Sequence, residues 1–344
     1  MRIAFFINDL EREYPGYATT VLAHQAASRG HEVCYLTPED FVLNADDSLG
    51  AHARVMPKKK DQSRADFFKT LCSAKVEAVD MAEVDVLMLR NDPSIDFERG
   101  WAMEAGILFG REAAKRGTIV LNDPDSLSRA TNKLYFQSFP TEARAETLIS
   151  KNENDLKAFA KAHGSIILKP LQGSGGTGVF KVDSKSASNL NQMIEAIGRD
   201  GYIIAQAYVP AAKKGDIRMF LLNGVPLQID GKYCALRRVA GEDDIRSNIH
   251  AGGKAEAVEI GETELRVAEV IRPKLVADGM FLVGIDIVGN KILEVNVFSP
   301  GNLKSCSEMA GVDFSVPILE SIERKVAIRH DYGGVFDNRH LAVL

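Results

Sequence analysis

The chain has 344 residues, of which 47 are acidic and 42 are basic, so its formal net charge is −5. At about 150 residues per domain, this length suggests two domains or three closely packed lobes. An acidic balance without a basic block argues against a nucleic-acid partner, because nucleic-acid binding needs clustered Lys and Arg. No apolar run approaches the roughly 20 residues that span a bilayer, so we expect no membrane partner.

The four cysteines are scattered and form no CxxC pair. Their spacing argues against a disulfide framework or a structural zinc site and fits a reducing compartment. Residues 3–7 are too short a run for the core of a signal peptide, so we expect a cytoplasmic protein. Neither HExxH nor GxSxG occurs, which argues against a zinc protease and a serine hydrolase.

The first third of the chain alternates between strand-like and helix-like patterns. The patterns predict strands over residues 3–7, 31–36, 84–89 and 118–121, and helices over residues 17–28, 98–115 and 124–136. Strands that alternate with helices are typical of βαβ units, so we expect a small domain with a parallel sheet.

The second half changes to an α+β pattern. Strand patterns cover residues 166–168, 179–182 and 202–209, with a short helix over residues 190–197. Turn dipeptides then predict antiparallel hairpins at Asn223-Gly224, Asp230-Gly231 and Gly289-Asn290. The last segment, residues 329–344, has little periodicity and is expected to be loosely held.

A glycine-rich loop occupies residues 169–178 and begins with Lys169-Pro170. Such glycines let backbone N–H groups turn around an anion. The loop matches GxGxxG, but a strand pattern follows it, whereas the dinucleotide fingerprint needs a helix there. No Lys-Ser/Thr follows as in a Walker loop, and no HRD or DFG occurs as in protein kinases. We expect a hairpin tip over phosphates, although this motif alone supports a structural turn equally well.

Residues 283–297 form an apolar hairpin that carries Asp286, Glu294 and Asn296. Burying a carboxylate is costly unless a cation or hydrogen bonds compensate it. A two-residue turn at Gly289-Asn290 would aim Asp286 away from Glu294, whereas a three-residue loop would pair them, and we predict the longer loop. Two carboxylates and a carboxamide suit Mg²⁺ on nucleotide phosphates. The alternative is an amphipathic hairpin whose polar face lies in water.

Arginines lie between these two motifs, and Asp216 shares a strand face with Arg218. Arg218 opens an apolar strand, where a guanidinium needs an anionic partner. Arg238 follows further along the chain, and Arg246 and Asn248 form a polar loop before Gly252-Gly253. Several arginines near two phosphate-type motifs indicate an anionic substrate.

Taken in chain order, these motifs resemble those of the ATP-grasp carboxylate–amine ligases. The similar segments are Lys-Pro before the glycine loop, residues 205–210, Asp-Ile-Arg at 216–218, residues 246–253, Gly-Ile-Asp at 284–286 and Glu-Val-Asn-Val at 294–297. Residues 89–93 and 121–124 are most similar to the bacterial glutathione synthetases within this superfamily.

The resemblance implies an ATP-grasp fold that combines α/β and α+β parts. An N-terminal parallel-sheet substrate domain would cover residues 1–122, and a small lid with the glycine loop would cover residues 123–209. A C-terminal antiparallel-sheet catalytic subdomain would cover residues 210–330, followed by a tail over residues 331–344.

The resemblance also implies a role for each candidate site residue. Those that would bind ATP are Lys133, Lys169, Gly173, Ser174, Gly175, Gly176, Gln206, Ala207, Tyr208, Val209 and Asp216. Two Mg²⁺ ions, with Mn²⁺ as an alternative, would lie on Asp286, Glu294 and Asn296. The groups that would stabilise the phosphoryl group, the acyl phosphate and the oxyanion are Arg218, Arg238, Arg246 and Asn248.

The implied activity joins a carboxylate to an amine through an acyl phosphate. By resemblance, the small-molecule substrates are γ-glutamylcysteine and glycine, and the enzyme is a homo-oligomer. The alternative is a glutamate-tailing or other γ-glutamyl ligase with a different acceptor, and two departures from the glutathione synthetase pattern bear on it. Residues 246–253 are closer to the ligases that add glutamate to a ribosomal protein, and residues 301–304 differ from glutathione synthetases. A third hypothesis is a nucleotide-binding regulatory protein without turnover, against which the complete Asp286, Glu294 and Asn296 set argues.

Overall fold

The computed structural model describes residues 1–58, 62–173, 177–183, 189–239 and 253–344, which form three main sheets. The strands of the first sheet are β1 (Arg2–Phe6), β2 (Glu32–Leu36), β3 (Phe41–Leu43), β4 (Leu49–Val55), β5 (Val76–Asp80), β6 (Val86–Leu89) and β7 (Ile119–Leu121). Its helices are α1 (Ala18–Ser28), α2 (Arg64–Cys72), α3 (Gly100–Lys115) and α4 (Pro124–Leu127).

The first sheet has the order β3-β4-β2-β1-β6-β7, with β5 also paired to β4. The pairs β1–β2, β1–β6 and β6–β7 are parallel, as the βαβ pattern predicts. The predicted parallel sheet is confirmed in these pairs, and β3, β4 and β5 extend it with antiparallel pairs that the βαβ pattern did not predict. Residues 44–48, which join β3 to β4, are too few for the crossover that parallel strands require.

The prediction of one helix over residues 124–136 is wrong. Helix α4 ends at Leu127, and a separate 3-10 helix covers Lys133–Ser138. Asn132 caps that second helix, since its Oδ1 accepts a hydrogen bond from the Leu134 amide at 2.9 Å. Side-chain bonds of this kind compete with a continuous helix. Lys133 therefore lies at the start of a new element and not inside a long helix.

The middle sheet is antiparallel and has the order β10-β9-β11-β8. Its elements are β8 (Thr147–Ser150), α5 (Glu153–His163), β9 (Ser165–Pro170), β10 (Phe180–Asp183), α6 (Leu190–Gly198) and β11 (Ile203–Ala207). The predicted strand after the glycine loop is confirmed by β10, which pairs with β9. Because a strand follows the glycines, the loop is not a dinucleotide fingerprint.

The third sheet has the order β17-β16-β12-β18-β19. Its strands and the short ones beside it are β12 (Asp216–Leu222), β13 (Val225–Pro226), β14 (Gln228–Ile229), β15 (Lys232–Tyr233), β16 (Ala235–Val239), β17 (Lys254–Glu256), β18 (Leu282–Val288) and β19 (Lys291–Asn296). The helices are α7 (Glu262–Ala277), α8 (Leu303–Ala310), α9 (Ser315–Tyr332) and α10 (Asn338–Leu341). The hairpins predicted at Asn223-Gly224 and Asp230-Gly231 are confirmed, with positive φ at each of these residues.

The C-terminal segment is more ordered than its weak periodicity suggests. Helix α9 continues to Tyr332, and Leu341 is fully buried. The Asn338 side chain accepts a hydrogen bond from the Val120 amide at 2.7 Å and donates one to the Val120 carbonyl at 3.0 Å. These bonds attach α10 to the edge of β7, so the expectation of a loosely held tail is wrong.

The described residues form three apolar cores, of which two join the first and third sheets and one belongs to the middle sheet alone. Phe6 and Leu89 of the first sheet belong to the same core as Val283 and Ile285 of the third sheet. The middle sheet and its helices have a core of their own, formed by Leu156, Ile166, Leu168, Val182, Leu190, Ile194, Ile197, Ile203 and Ala205. Within the part of the chain that is described, no helix has the length and apolar character needed to cross a membrane.

Asn122 joins the first and third sheets. Its Oδ1 accepts a hydrogen bond from the Leu282 amide at 2.9 Å, and its Nδ2 donates to the carbonyls of Leu282 and Val297. Asn122 is buried, so these bonds are not exchanged with water.

We expect Asn122→Ala to lower the free energy of unfolding by about 2–4 kcal/mol, because buried backbone groups lose their partner. Urea denaturation followed by circular dichroism measures this change. Asn154→Ala, at an exposed position of α5, is the matched control and should change stability by less than about 0.5 kcal/mol. Equal stability of the two variants would contradict the role given to Asn122.

Candidate functional site

A cleft lies where the middle and third sheets meet the end of β6. Residues that line it include Asp92 and Ser94 after β6, Asn132, Lys133, Lys169 of β9, Gly173, Gln206 of β11, Leu293, Glu294 and Asn296 of β19, and Phe298 and Ser299. The cleft thus collects lysines, carboxylates and carboxamides from segments far apart in the sequence.

Lys169 and Gln206 form one wall of the cleft. The Lys169 Nζ donates to Gln206 Oε1 at 3.2 Å, and the Gln206 Nε2 lies 3.4 Å from Thr147 Oγ1. Burial lowers the pKa of Lys169 to about 8, and the charge of Lys133 acts in the same direction. The carboxylates of Glu294 and Asp286 only partly oppose this change. Among the residues that the structure describes, no carboxylate forms an ion pair with this cation, which is hydrogen-bonded to a neutral carboxamide.

Lys133 lies opposite this wall, at the base of the glycine loop. Its Nζ donates to the Gly173 carbonyl, and its backbone amide donates to the Leu171 carbonyl at 3.1 Å. Burial lowers the pKa of Lys133 as well, against the attraction of Glu294 and Asp92. Two ammonium groups with lowered pKa in one cleft are suited to bind a polyanion.

In the hairpin β18–β19, Asp286 lies opposite Glu294, as predicted, but the structural cause of this pairing differs from the predicted one. Val288 pairs with Lys291, so the turn at Gly289-Asn290 has two residues and the predicted three-residue loop is wrong. A register shift after Asp286 leaves Leu293 as an extra residue in β19, and Asp286 then pairs with Glu294. This β-bulge gives the cross-strand pair that the longer loop was meant to give.

Asp286 is buried between two arginines. The Arg218 Nε lies 2.5 Å from Asp286 Oδ1, the Arg218 Nη2 lies 3.0 Å from Oδ2, and the Arg238 Nη2 lies 2.6 Å from Oδ2. Burial by itself raises the pKa of Asp286, but the attraction of the two guanidinium groups outweighs it, so the pKa is lowered. Both carboxylate oxygens are therefore occupied by ion pairs.

Asp216 takes part in the same network. It pairs with Arg238 across β12 and β16, and the Arg238 Nε donates to Asp216 Oδ2 at 3.0 Å. The predicted shared face of Asp216 and Arg218 is confirmed, since each faces a partner of this network across the strands. The anionic partners of Arg218 and Arg238 are thus the protein's own carboxylates, which our expectation of a substrate anion did not include. Asp216 itself is buried and does not line the cleft.

The donors present suit a divalent cation that takes most of its ligands from phosphate and water. Glu294 and Asn296 line the cleft, and the buried Asn296 Nδ2 has no hydrogen-bond partner in the described part of the chain. The described residues contain no group of three or more His, Cys, Asp or Glu that could hold a metal. Mg²⁺ is typically held by one or two carboxylates together with substrate phosphates, which matches this set.

Several predicted residues lie elsewhere. Ser174, Gly175, Gly176, Arg246 and Asn248 lie outside the described residues. Ala207, Tyr208 and Val209 follow Gln206 at the end of β11 without lining the cleft. The Tyr208 amide donates to the Ser165 carbonyl at 3.0 Å, and the Lys181 Nζ lies 4.5 Å from the centre of the Tyr208 ring.

None of the predicted site residues lies in the first sheet or directly after its strands, although residues after β6 line the cleft. Asp92, Pro93 and Ser94 line the cleft, as does Ser299 after β19. Asp92 follows Leu89-Arg90-Asn91, a charged and polar segment directly after a buried strand, and the carboxyl ends of parallel strands commonly carry sites. That signal was available in the sequence, whereas the position of Ser299 depends on the packing of the two sheets.

The fold of the chain is similar to the folds of solved synthetases. D-cycloserine synthetase DcsG has a TM-score of 0.60 and 17% identity, over 93% of this chain and 99% of that one. D-alanyl-alanine synthetase A from Vibrio cholerae has a TM-score of 0.57 and 14% identity, over 95% of this chain and 98% of that one. At these identities the similarity shows the fold alone.

Family comparisons give a narrower result. The family described as "Prokaryotic glutathione synthetase, N-terminal domain" matches residues 1–128, and its ATP-grasp domain matches residues 132–311. Glutathione synthetase of Gloeobacter violaceus is 34% identical over 93% of this chain and 96% of its own length. That of Vibrio parahaemolyticus is 31% identical over 88% and 91%. The chain belongs to the prokaryotic glutathione synthetase family and is an ATP-dependent carboxylate–amine ligase.

We expect Asp286→Asn to lower the free energy of unfolding by about 3–5 kcal/mol, because it leaves buried arginines without their carboxylate. Urea denaturation at pH 7 measures this loss. Glu294→Gln is the matched control: the side chain is half-exposed in the same hairpin, so the loss should be about 1 kcal/mol or less. If Asp286→Asn unfolds at the urea concentration of the unchanged protein, the ion-pair network does not stabilise the fold.

Proposed function

We propose that the protein joins γ-glutamylcysteine to glycine and converts ATP to ADP and phosphate. The observation that carries this proposal is the meeting of Lys133 and Lys169 with Glu294 and Asn296 in one cleft. In a chain of the prokaryotic glutathione synthetase family, this combination of cations, carboxylate and carboxamide fits a nucleotide triphosphate and its metal.

The nucleotide would be bound between the middle and third sheets. Lys133 and Lys169 would contact the α- and β-phosphates, and the glycine loop with Gly173, Ser174, Gly175 and Gly176 would cover the triphosphate. The segment from Gln206 to Val209, at the end of β11, would receive the adenine. Burial lowers the pKa of both lysines, and no ion pair of either with a carboxylate is found in the described ranges. This supports the assignment, because a polyanion would stabilise the charged forms that burial disfavours.

Glu294 and Asn296 would hold Mg²⁺ together with the phosphates. When bound, Mg²⁺ supplies positive charge that neutralises the phosphates during phosphoryl transfer. We assign two Mg²⁺ ions to the cleft, with Mn²⁺ as an alternative occupant. Asp286 would reach one of them only if Arg218 or Arg238 releases an oxygen, because both oxygens are ion-paired.

The reaction would proceed through an acyl phosphate. The donor carboxylate attacks the γ-phosphorus of ATP, ADP leaves, and the deprotonated amine then attacks the acyl carbon and displaces phosphate. Arg218 and Arg238 would stabilise the charge that develops on the phosphoryl group and on the tetrahedral oxyanion. Asp286 and Asp216 hold both guanidinium groups in place, so little reorganisation is required when that charge appears. Arg246 and Asn248 would orient the acid.

We also propose a functional division of the chain into the units 1–122, 123–209 and 210–330, with a tail over 331–344. The separate core of the middle sheet supports its role as a lid. Closure of such a lid would keep water from the acyl phosphate. A cytoplasmic location is supported by four free cysteines, and we propose a homo-oligomer from the family resemblance.

The direct test is release of phosphate from ATP with γ-glutamylcysteine, with and without glycine. We expect steady turnover only when both are present, and formation of glutathione confirmed by mass spectrometry. Glu294→Gln is the control for contaminating ATPases and should lose turnover by at least a hundredfold while it keeps the fold. Turnover with another amine in place of glycine would favour a γ-glutamyl ligase with a different acceptor. ATP binding without any product would favour a regulatory protein.

The pKa of Lys169, about 8, predicts a pH dependence of ATP use. A neutral lysine binds phosphate poorly, so kcat/KM for ATP should fall by about fivefold between pH 8 and pH 9 as the free enzyme loses this proton. Lys169→Arg should flatten this decline, because a guanidinium stays charged. Lys181→Arg, on β10 outside the cleft, should keep it. A decline that persists in Lys169→Arg would assign it to another group.

A further inference from the structure

Arg90, directly after β6, is a buried cation with an unused hydrogen-bond donor. It is 3% exposed, and its Nη1 donates to the Phe298 carbonyl at 3.1 Å. Its Nε lies 3.4 Å from Thr19 Oγ1, and its Nη2 has no hydrogen-bond partner among the residues that the structure describes. Phe298 lines the cleft, so the guanidinium lies directly behind the cleft wall.

An acidic and a phenolic side chain surround Arg90 without forming an ion pair to it. Glu13 is buried, and its Oε2 accepts a hydrogen bond from Thr20 Oγ1 at 3.0 Å. Tyr17, the residue before α1, is half-buried and lies beside Ser299 of the cleft wall. Within the part of the chain that is described, no ion pair of Arg90 with a carboxylate is found within 4.0 Å.

The electrostatics of this group show that its charges are incompletely compensated. Burial lowers the pKa of Arg90 to about 10, although Tyr17 and Glu13 attract its charge. Burial raises the pKa of Glu13 to about 7, although the Thr20 hydroxyl and Arg90 oppose the change. A buried cation and a buried acid that are close but unpaired would both be stabilised by a zwitterion that has a carboxylate for one and an ammonium for the other.

The position of the group matches one end of the proposed acid substrate. Phe298 follows Asn296 by two residues, which corresponds to roughly 7 Å of extended chain. In γ-glutamylcysteine, six bonds separate the reacting carboxyl carbon from the glutamyl α-carbon, which is about 7–8 Å when extended. A donor whose carboxylate reacts near Asn296 can therefore place its amino-acid end at Phe298 and Arg90.

We propose that Arg90, Glu13 and Tyr17 form the subsite for the α-amino-acid end of the donor. This inference rests on the proposed function and adds specificity to it. The Arg90 Nη2 donates to the α-carboxylate of the donor, and Glu13 accepts from the α-ammonium of the donor. The Tyr17 hydroxyl contacts the same amino-acid end beside Ser299. The first sheet thus selects γ-glutamyl compounds among small carboxylic acids.

The test is a cycle of enzyme variants and donor analogues. The analogues are 4-aminobutanoyl-cysteine, which lacks the α-carboxylate, and glutaryl-cysteine, which lacks the α-ammonium. In the unchanged enzyme each analogue should lower kcat/KM by about a hundredfold or more relative to γ-glutamylcysteine. In Arg90→Gln the penalty for the missing carboxylate should shrink to less than about fivefold, while the penalty for the missing ammonium remains. Glu13→Gln should show the reverse.

The KM for ATP and the half-exposed variant Arg111→Gln serve as controls. The KM for ATP should change by less than about twofold in the subsite variants, and Arg111→Gln should leave all donor ratios unchanged. Equal losses on all three donors in Arg90→Gln would make Arg90 a structural residue and overturn the subsite. If Arg90→Gln fails to fold, the Glu13→Gln pattern and the two analogues decide. Absence of turnover with γ-glutamylcysteine in the unchanged enzyme would overturn the proposed function. Normal turnover with γ-glutamylcysteine, together with an equal kcat/KM for both analogues, would overturn only this subsite.

Discussion

The extra residue in β19, Leu293, is the constraint on which the geometry of the site depends. The turn at Gly289-Asn290 pairs Val288 with Lys291, so an unbroken ladder would place Leu293 opposite Asp286 and turn Glu294 to the other face. The bulge restores Glu294 to the face of Asp286. One continuous row of charges then crosses four strands, formed by Arg238, Asp216, Arg218, Asp286 and Glu294. Glu294, at one end of the row, lines the cleft, and the arginines further along the row are fixed by buried ion pairs.

The sequence predicts the strands and turns of this sheet that depend only on neighbouring residues. Alternating strands and turn dipeptides are local signals, and the hairpins at Asn223 and Asp230 follow them. The burial cost of Asp286 was also apparent, but its compensation by Arg218 and Arg238 depends on the strand order β16-β12-β18-β19, which no local pattern contains. The family resemblance singled out some of the residues that line the cleft, namely Lys133, Lys169, Gly173, Gln206, Glu294 and Asn296. It did not predict the bulge, the antiparallel edge of the first sheet or the docking of Asn338 on β7, because these depend on packing between distant segments.

The cleft lysines and Glu294 are electrostatically linked. Glu294 favours the charged forms of Lys169 and Lys133, while each burial cost disfavours them. If Glu294 binds a metal, its negative charge no longer supports the lysines, and the phosphates must take its place. Metal and triphosphate would therefore bind more favourably together than separately. The metal neutralises the negative charge of Glu294, and the phosphates supply the negative charge that the lysines then lack. The position of both lysines near the Glu294 carboxylate, and not at the more polar surface, thus has a physical reason.

The division of the cores assigns the two substrates to different bodies. Phe298 and Arg90 belong to the part in which the first and third sheets share two cores, and Asn122 ties those sheets together. Lys169 and Gln206 belong to the middle sheet, which has its own core. On the proposed assignment, the acid is therefore held by the larger body, and the nucleotide lies between that body and the lid. In-line attack requires reacting atoms about 3–3.5 Å apart, so the productive geometry arises only when both bodies close on their ligands. A lid that closes over ATP alone has no acid positioned for transfer, which limits wasteful hydrolysis of the nucleotide.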